Sequence, residues 1–205
     1  MDKNNPLYIL VHGTDVSWQR VRDQAKSVEW YHSNGPEQGG HPQGPFPLSS
    51  LGFRSGYHSL CTGGKNYRRR NDTDMGVHCN QVVNGISMNL QSLACCIGFD
   101  GDIEYPHPDD ERNARAQIQE WQAKYNIPNE NVKFHREFAP WKTCPGSLIK
   151  QDWIDNLLKK EAVVKPPEQC EKQNALIELQ KHEITVRDQV IKVLIDILRK
   201  FKIIP

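Results

Sequence analysis

The sequence predicts an α/β domain, a central mixed β-sheet flanked by helices, with an amphipathic helix appended at its C-terminus. Three observations predict it. Two short apolar runs, residues 8–11 and 93–99, have the length and composition of buried strands. Stretches with apolar residues at helical spacing lie between and after them. Finally, 205 residues exceed one ordinary domain by about the length of a helix, and a Lys165-Pro166-Pro167 break marks where the excess begins.

The elements follow in order. Tyr8-Ile9-Leu10-Val11 is a buried strand that ends in the polar loop His12-Gly13-Thr14-Asp15. Residues 21–32 carry helical spacing, with Val21, Ala25, Val28 and Tyr31 inward and Gly35-Pro36 as the stop. Residues 34–51 are crowded with Gly, Pro and Ser and form a long loop, either one wall of a binding groove or a plain surface insertion. A short apolar element at 51–60 precedes a basic turn, Lys65 to Arg70. The run Leu93-Ala94-Cys95-Cys96-Ile97-Gly98-Phe99 is apolar on both faces, as a central strand requires, and its cysteines read as buried thiols. Pro108-Asp109-Asp110-Glu111 opens a helix with acidic residues where the dipole favours them. Ala114, Ile118, Trp121 and Tyr125 form its inner face, and Ile127-Pro128 ends it. Residues 132–135 make a third short strand, and residues 148–160 a last amphipathic helix through Ile149, Trp153, Ile154, Leu157 and Leu158.

This divides the chain into a domain at 1–162, a linker at 163–172 and a helix at 173–205. In that helix Ile177, Ile184, Ile191 and Leu198 recur every seven residues, but the companion row Gln180, Arg187, Leu194 and Phe201 is apolar only in its second half. From Arg187 onward the local charge is +3. Three uses compete: self-association as a coiled coil giving a homo-oligomer, contact with a membrane surface, and docking on the domain.

Charge and composition exclude some functions. With 26 Lys+Arg against 25 Asp+Glu the net charge is +1, which argues against a nucleic-acid partner held by bulk positive field. No run of about 18 apolar residues suggests a membrane span, and the run after Pro6 is too short for a signal-peptide core. The expectation is a chain made in the cytoplasm without a signal peptide. Its six cysteines are irregularly spaced, unlike a disulfide scaffold.

Eight histidines and those cysteines raise the question of a metal. His12 and His135 each end a strand, and Cys144 follows His135 by nine residues. Two imidazoles and a thiolate suit Zn2+, with a fourth position left for water. On spacing alone, a core cysteine and two ordinary histidines explain the pattern equally well.

The words around these residues carry more. Tyr8-Ile-Leu-Val-His12-Gly-Thr14, Gly56-Tyr57-His58, Gly76-Val77-His78-Cys79-Asn80, Asn89-Leu-Gln-Ser92, His135-Arg136-Glu137 and Lys142-Thr143-Cys144-Pro145-Gly146 occur in that order. Over about residues 6–160 the chain resembles the zinc-dependent N-acetylmuramoyl-L-alanine amidases of the amidase-2 family, which includes phage lysozyme-type amidases and peptidoglycan recognition proteins. The resemblance implies one catalytic Zn2+ ligated by His12, His135 and Cys144, with Tyr57 and Lys142 beside the reacting water. It implies hydrolysis of the amide between N-acetylmuramic acid and the L-alanine of the stem peptide, so that peptidoglycan is the partner and the cell wall the site of action.

Recognition proteins that have lost activity lack a ligand at the Cys144 position, so a cysteine there favours an enzyme. An endolysin fits best. A cytoplasmic amidase that recycles muropeptides and a non-catalytic peptidoglycan-binding module are the rivals. His78 is expected near the substrate rather than on the metal, with His58 or His78 as substitute ligands should the trio fail. Arg68 and Arg70 are expected near the substrate too, where arginine grips stem-peptide carboxylates, or else as a solvated turn. His32 reads as a packing residue, and His41 and His107 as solvated.

Overall fold

A computed structural model describes residues 3–159. The linker, the C-terminal helix and its proposed coiled-coil, oligomeric and membrane-surface roles fall outside the described residues. In chain order the described elements are β1 (Tyr8–Gly13), α1 (Ala25–Ser33), β2 (Ser59–Thr62), β3 (Lys65–Arg68), β4 (Val82–Val83), β5 (Ile86–Ser87), β6 (Ser92–Ile97), α2 (Pro108–Tyr125), β7 (Val132–Phe134), α3 (His135–Phe138) and α4 (Gln151–Leu158).

Five strands form one sheet in the order β3-β2-β6-β1-β7, and β4 and β5 make a separate hairpin. β1 is parallel to both β6 and β7, β2 is parallel to β6, and β3 runs antiparallel to β2. The sheet is mixed, as its sequence predicts. The apolar strands β1 and β6 take the interior because both their faces are covered. Alternation then sorts their side chains. Ile9, Val11, Leu93, Cys95 and Ile97 enter the main core, where Ala114, Ile118 and Trp121 of α2 and Trp153, Ile154 and Leu157 of α4 meet them. Each such aliphatic side chain contributes about 1.5–3 kcal/mol by leaving water. Leu10 belongs to a different cluster with Cys79 and Met88, and Cys96 packs with Ala25 and Leu60. Alternation therefore gives His12 the side of β1 opposite the main core.

α2 starts and stops where its sequence signals lie. Pro108 occupies the first turn, the His107 ring accepts the Asp109 N–H at 3.2 Å, and Asn126 closes the helix in the left-handed conformation. His107 is thus a helix cap, also bonded to Arg22, rather than a solvated residue. Three further expectations are corrected. The basic turn is an edge strand, β3, whose Asn66 side chain is bonded to Ser59 and Gln117. Residues 51–58 are loop, and the strand begins only at Ser59. α1 starts at Ala25, and Val21 and Tyr31 are exposed. Among the described residues no helix is long and apolar enough to cross a membrane.

Candidate metal centre

β1 and β7 are paired in parallel with Val11 opposite Phe134. The next residue on each is a histidine, so the register alone sets His12 beside His135 at the C-terminal edge of the sheet, the edge where α/β folds collect ligands. His135 is the first residue of α3 rather than the last of a strand. The two rings lie 4.5 Å apart between centroids. Cys144 comes from the loop after α3 and places Sγ 3.7 Å from His12 Nδ1. One ligand atom from each of His12, His135 and Cys144 lies within 4.8 Å of the others.

These residues fit zinc. Ideal tetrahedral bonds would separate an imidazole nitrogen from a thiolate sulfur by about 3.6 Å, against the 3.7 Å found. Two nitrogens and one sulfur are zinc's preferred donors, and three protein donors leave a position open.

The loop that delivers Cys144 is held on three sides. Arg136, next to His135, donates Nη1 to the carbonyls of Thr143 (3.1 Å) and Gly146 (2.7 Å), and its backbone N–H bonds the Cys144 carbonyl at 3.1 Å. The Asp102 carboxylate accepts from Ser147 N–H at 2.6 Å and from the Thr143 hydroxyl at 3.3 Å. On the third side the loop lies against Gly101 so closely that a Cβ on Gly146 would meet the Gly101 carbonyl carbon at 2.0 Å. Gly146 also has a φ of +135°, a conformation that side chains disfavour. Arg136 and Asp102 are roles that sequence reasoning missed, although Arg136 stood inside a motif.

The trio lies in a cavity of about 1100 Å³. Tyr57, His78 and Lys142 line it too, and the Tyr57 ring is 5.2 Å from that of His12. Of the 34–51 loop, His41, Pro42, Gln43 and Phe46 line the cavity, as does Trp141, 68% exposed. The loop is a wall, not a plain insertion. His41 is half-buried there against Phe46 and His32, not solvated, and His32 stacks on Phe46 as a packing residue.

Arg68 and Arg70 are not brought to this cavity. Arg70 is buried and spends its guanidinium on the carbonyls of Ser55, Met75 and Pro47. Arg68 pairs with Asp72 and lies over the Trp121 ring. A buried carboxylate for Arg68 and three backbone carbonyls for Arg70, none readable from a basic run, decide this. His58 is no substitute ligand: its Nδ1 accepts the Ala94 N–H at 3.1 Å and its Nε2 donates to the Asp74 carbonyl at 3.0 Å.

Burial dominates the electrostatics. It lowers His12 well below an ordinary histidine, aided by His135 and His78, and lowers His135 to about 4, aided by Lys142. Both imidazoles are therefore neutral at pH 7, with lone pairs free for a cation. Burial likewise pushes the Cys144 thiol up to about 12, and only a bound cation would make it a thiolate near neutrality. Tyr57 is raised well above its usual value by burial and by the neighbouring Cys96 and Cys144 thiols.

No protein-family model matches the chain, and no curated protein matches it. Solved structures do. The PlyG catalytic domain superposes with a TM-score of 0.57 at 21% identity, over 80% of this chain and 88% of that one. The N-acetylmuramoyl-L-alanine amidase LysC from Clostridium intestinale gives 0.52 at 22% identity, over 76% and 86%. Bumblebee PGRP-SA gives 0.55 at 20%, over 81% and 90%. The chain is built on the fold shared by these three structures.

Proposed function

We propose that the chain is a zinc-dependent N-acetylmuramoyl-L-alanine amidase that acts on the cell wall as an endolysin, cutting peptidoglycan between N-acetylmuramic acid and L-alanine. The observation that carries this is the convergence of His12, His135 and Cys144 in a cavity of about 1100 Å³. The fold shared with LysC and PlyG supports it, as does the order of sequence motifs. A thiol at the third donor position favours catalysis over binding alone.

Zinc held by the trio would supply Lewis-acid activation of water and of the scissile carbonyl. The rest of the work belongs to the protein. Lys142 lines the cavity and brings to it an ammonium that stabilises negative charge growing on the carbonyl oxygen. Tyr57, kept protonated by burial and with its hydroxyl bonded to Cys96, lines the cavity beside the His12 ring and shapes the substrate's surroundings rather than serving as a base. The Trp141 ring and the wall of His41 and Phe46 flank an extended substrate with apolar surface.

The test combines metal analysis of the full chain with mass spectrometry of digested sacculi. About one zinc per chain is expected, with release of stem peptides carrying a free L-alanine amine, abolished by thorough chelation and restored by zinc. Undiminished digestion after complete zinc removal would defeat the metal reading. Binding to sacculi without peptide release would favour the non-catalytic module, and cleavage of soluble muropeptides alone the recycling enzyme.

A further inference from the structure

His78 lines the cavity outside the metal trio and is the histidine in contact with His12 through a ring nitrogen. Its Nδ1 lies 3.2 Å from His12 Nε2, and its Nε2 lies 3.4 Å from the Ser92 hydroxyl oxygen. Ser92 is fully buried on β6, and its hydroxyl donates to the Met88 carbonyl. A carbonyl can only accept, and that makes the whole line directional. Because the Ser92 proton is committed to Met88, the Ser92 oxygen is left to accept from His78 Nε2–H. A neutral His78 protonated at Nε2 offers a lone pair at Nδ1. His12 must then carry its proton on Nε2, which leaves His12 Nδ1 bare, and Nδ1 is the atom that faces Cys144 at 3.7 Å.

The line is built into the fold at both ends. Asn89 Oδ1 accepts the backbone N–H groups of His78 (2.9 Å) and Cys79 (3.0 Å), which fixes the segment bearing the ring. Ser92 is opposite Tyr8 in the β1–β6 ladder, so the strand that carries His12 and the strand that anchors the relay share one register.

We propose that His78 and Ser92 are positioning residues that set the tautomer of His12 and thereby the affinity of the His12–His135–Cys144 trio for zinc. This rests on the trio holding zinc, and the experiment separates the two. Zinc affinity of the intact chain is measured by competition with a chromophoric chelator for the wild type, His78→Ala, His78→Asn and Ser92→Ala. Folding of each is checked by circular dichroism, and imidazole nitrogen NMR of the zinc-loaded protein reads the His12 tautomer.

His78→Ala is expected to weaken zinc about 10–100-fold. His78→Asn keeps an acceptor near the position of Nδ1 and should recover most of that loss. Ser92→Ala, which frees the His78 tautomer, should fall between the wild type and His78→Ala. The wild type should show His12 protonated at Nε2. Wild-type zinc affinity in folded His78→Ala, or a His12 protonated at Nδ1, would overturn the relay while leaving the trio intact. A wild type that binds no zinc would overturn both readings. Should His78→Ala fail to fold, the ratio of Ser92→Ala to wild-type affinity decides, and a ratio of one refutes the relay.

Discussion

Two polar clusters of this domain invite comparison, the His12–His135–Cys144 trio and the network around Asp72. Each gathers side chains distant in sequence, and each borders a cavity, about 1100 Å³ for the first and 260 Å³ for the second. They differ in what the groups offer one another. Around Asp72 one carboxylate meets donors: Trp121 Nε1 at 3.0 Å, Lys124 Nζ at 2.8 Å, the Tyr125 hydroxyl at 3.0 Å and the Arg68 guanidinium. Complementary groups close on each other and lock β3 to α2. In the trio, three groups that each offer a lone pair face one another. Within the trio the one close pairing is Cys144 Sγ with His12 Nδ1 at 3.7 Å, and the lone pairs left over suit a cation. Matched charge marks architecture here, and convergent lone pairs mark the candidate site.

The sharpest way to break the comparison is at Cys144. Cys144→Ala should reduce bound zinc from about one to none and peptide release by at least about 10³-fold, with folding intact, as atomic spectroscopy and sacculus digestion would show. A metal-loaded, active Cys144→Ala would dissolve the distinction. Lys142→Ala should cost on the order of 10²–10³ in kcat with zinc content unchanged, because the residue meets charge that exists only during reaction. Loss of zinc alongside activity would move Lys142 from chemistry to structure.

Asp72→Asn should do the reverse, costing about 3 kcal/mol in denaturant unfolding while zinc affinity stays unchanged. The same carboxylate predicts an acid limb. Burial would raise its pKa, but hydrogen bonds from Lys124 and Arg68 outweigh this and hold it at about 2 against an ordinary 3.8. A depressed carboxylate stabilises the fold above its unfolded pKa and loses that contribution as pH falls through the folded one. Roughly 2 kcal/mol should therefore disappear between about pH 4 and pH 2. Asp72→Asn should flatten that limb, and a persistent limb would assign it to other carboxylates.

The elements that sequence reading located are those whose signal is local. β1 and β6 are apolar on both faces, and α2 carries its own proline, acidic first turn and stop. β3 escaped because its lysine and arginine resemble a turn until the strand is seen to pair with β2 and Asn66 to bond Ser59 and Gln117. Arg68 and Arg70 were expected beside substrate because a basic run shows charge but not direction. His78 stood in a motif, yet nothing in the motif told that its ring would lie between His12 and Ser92.

By itself the sequence determined the α/β class, the two central strands and the long helix, since each depends on residue type and short-range period, whereas the three candidate donors stood out only through the resemblance carried by its ordered motifs. The tertiary structure alone decided which side of the sheet His12 takes, how the β1–β7 register sets it beside His135, and how Arg136, Asp102 and a contact between two glycines bring Cys144 to within 3.7 Å of His12. The physical reason is range. Propensity acts over a few residues, whereas a three-donor site exists only when segments more than a hundred residues apart are locked to a fraction of an ångström by packing and hydrogen bonds.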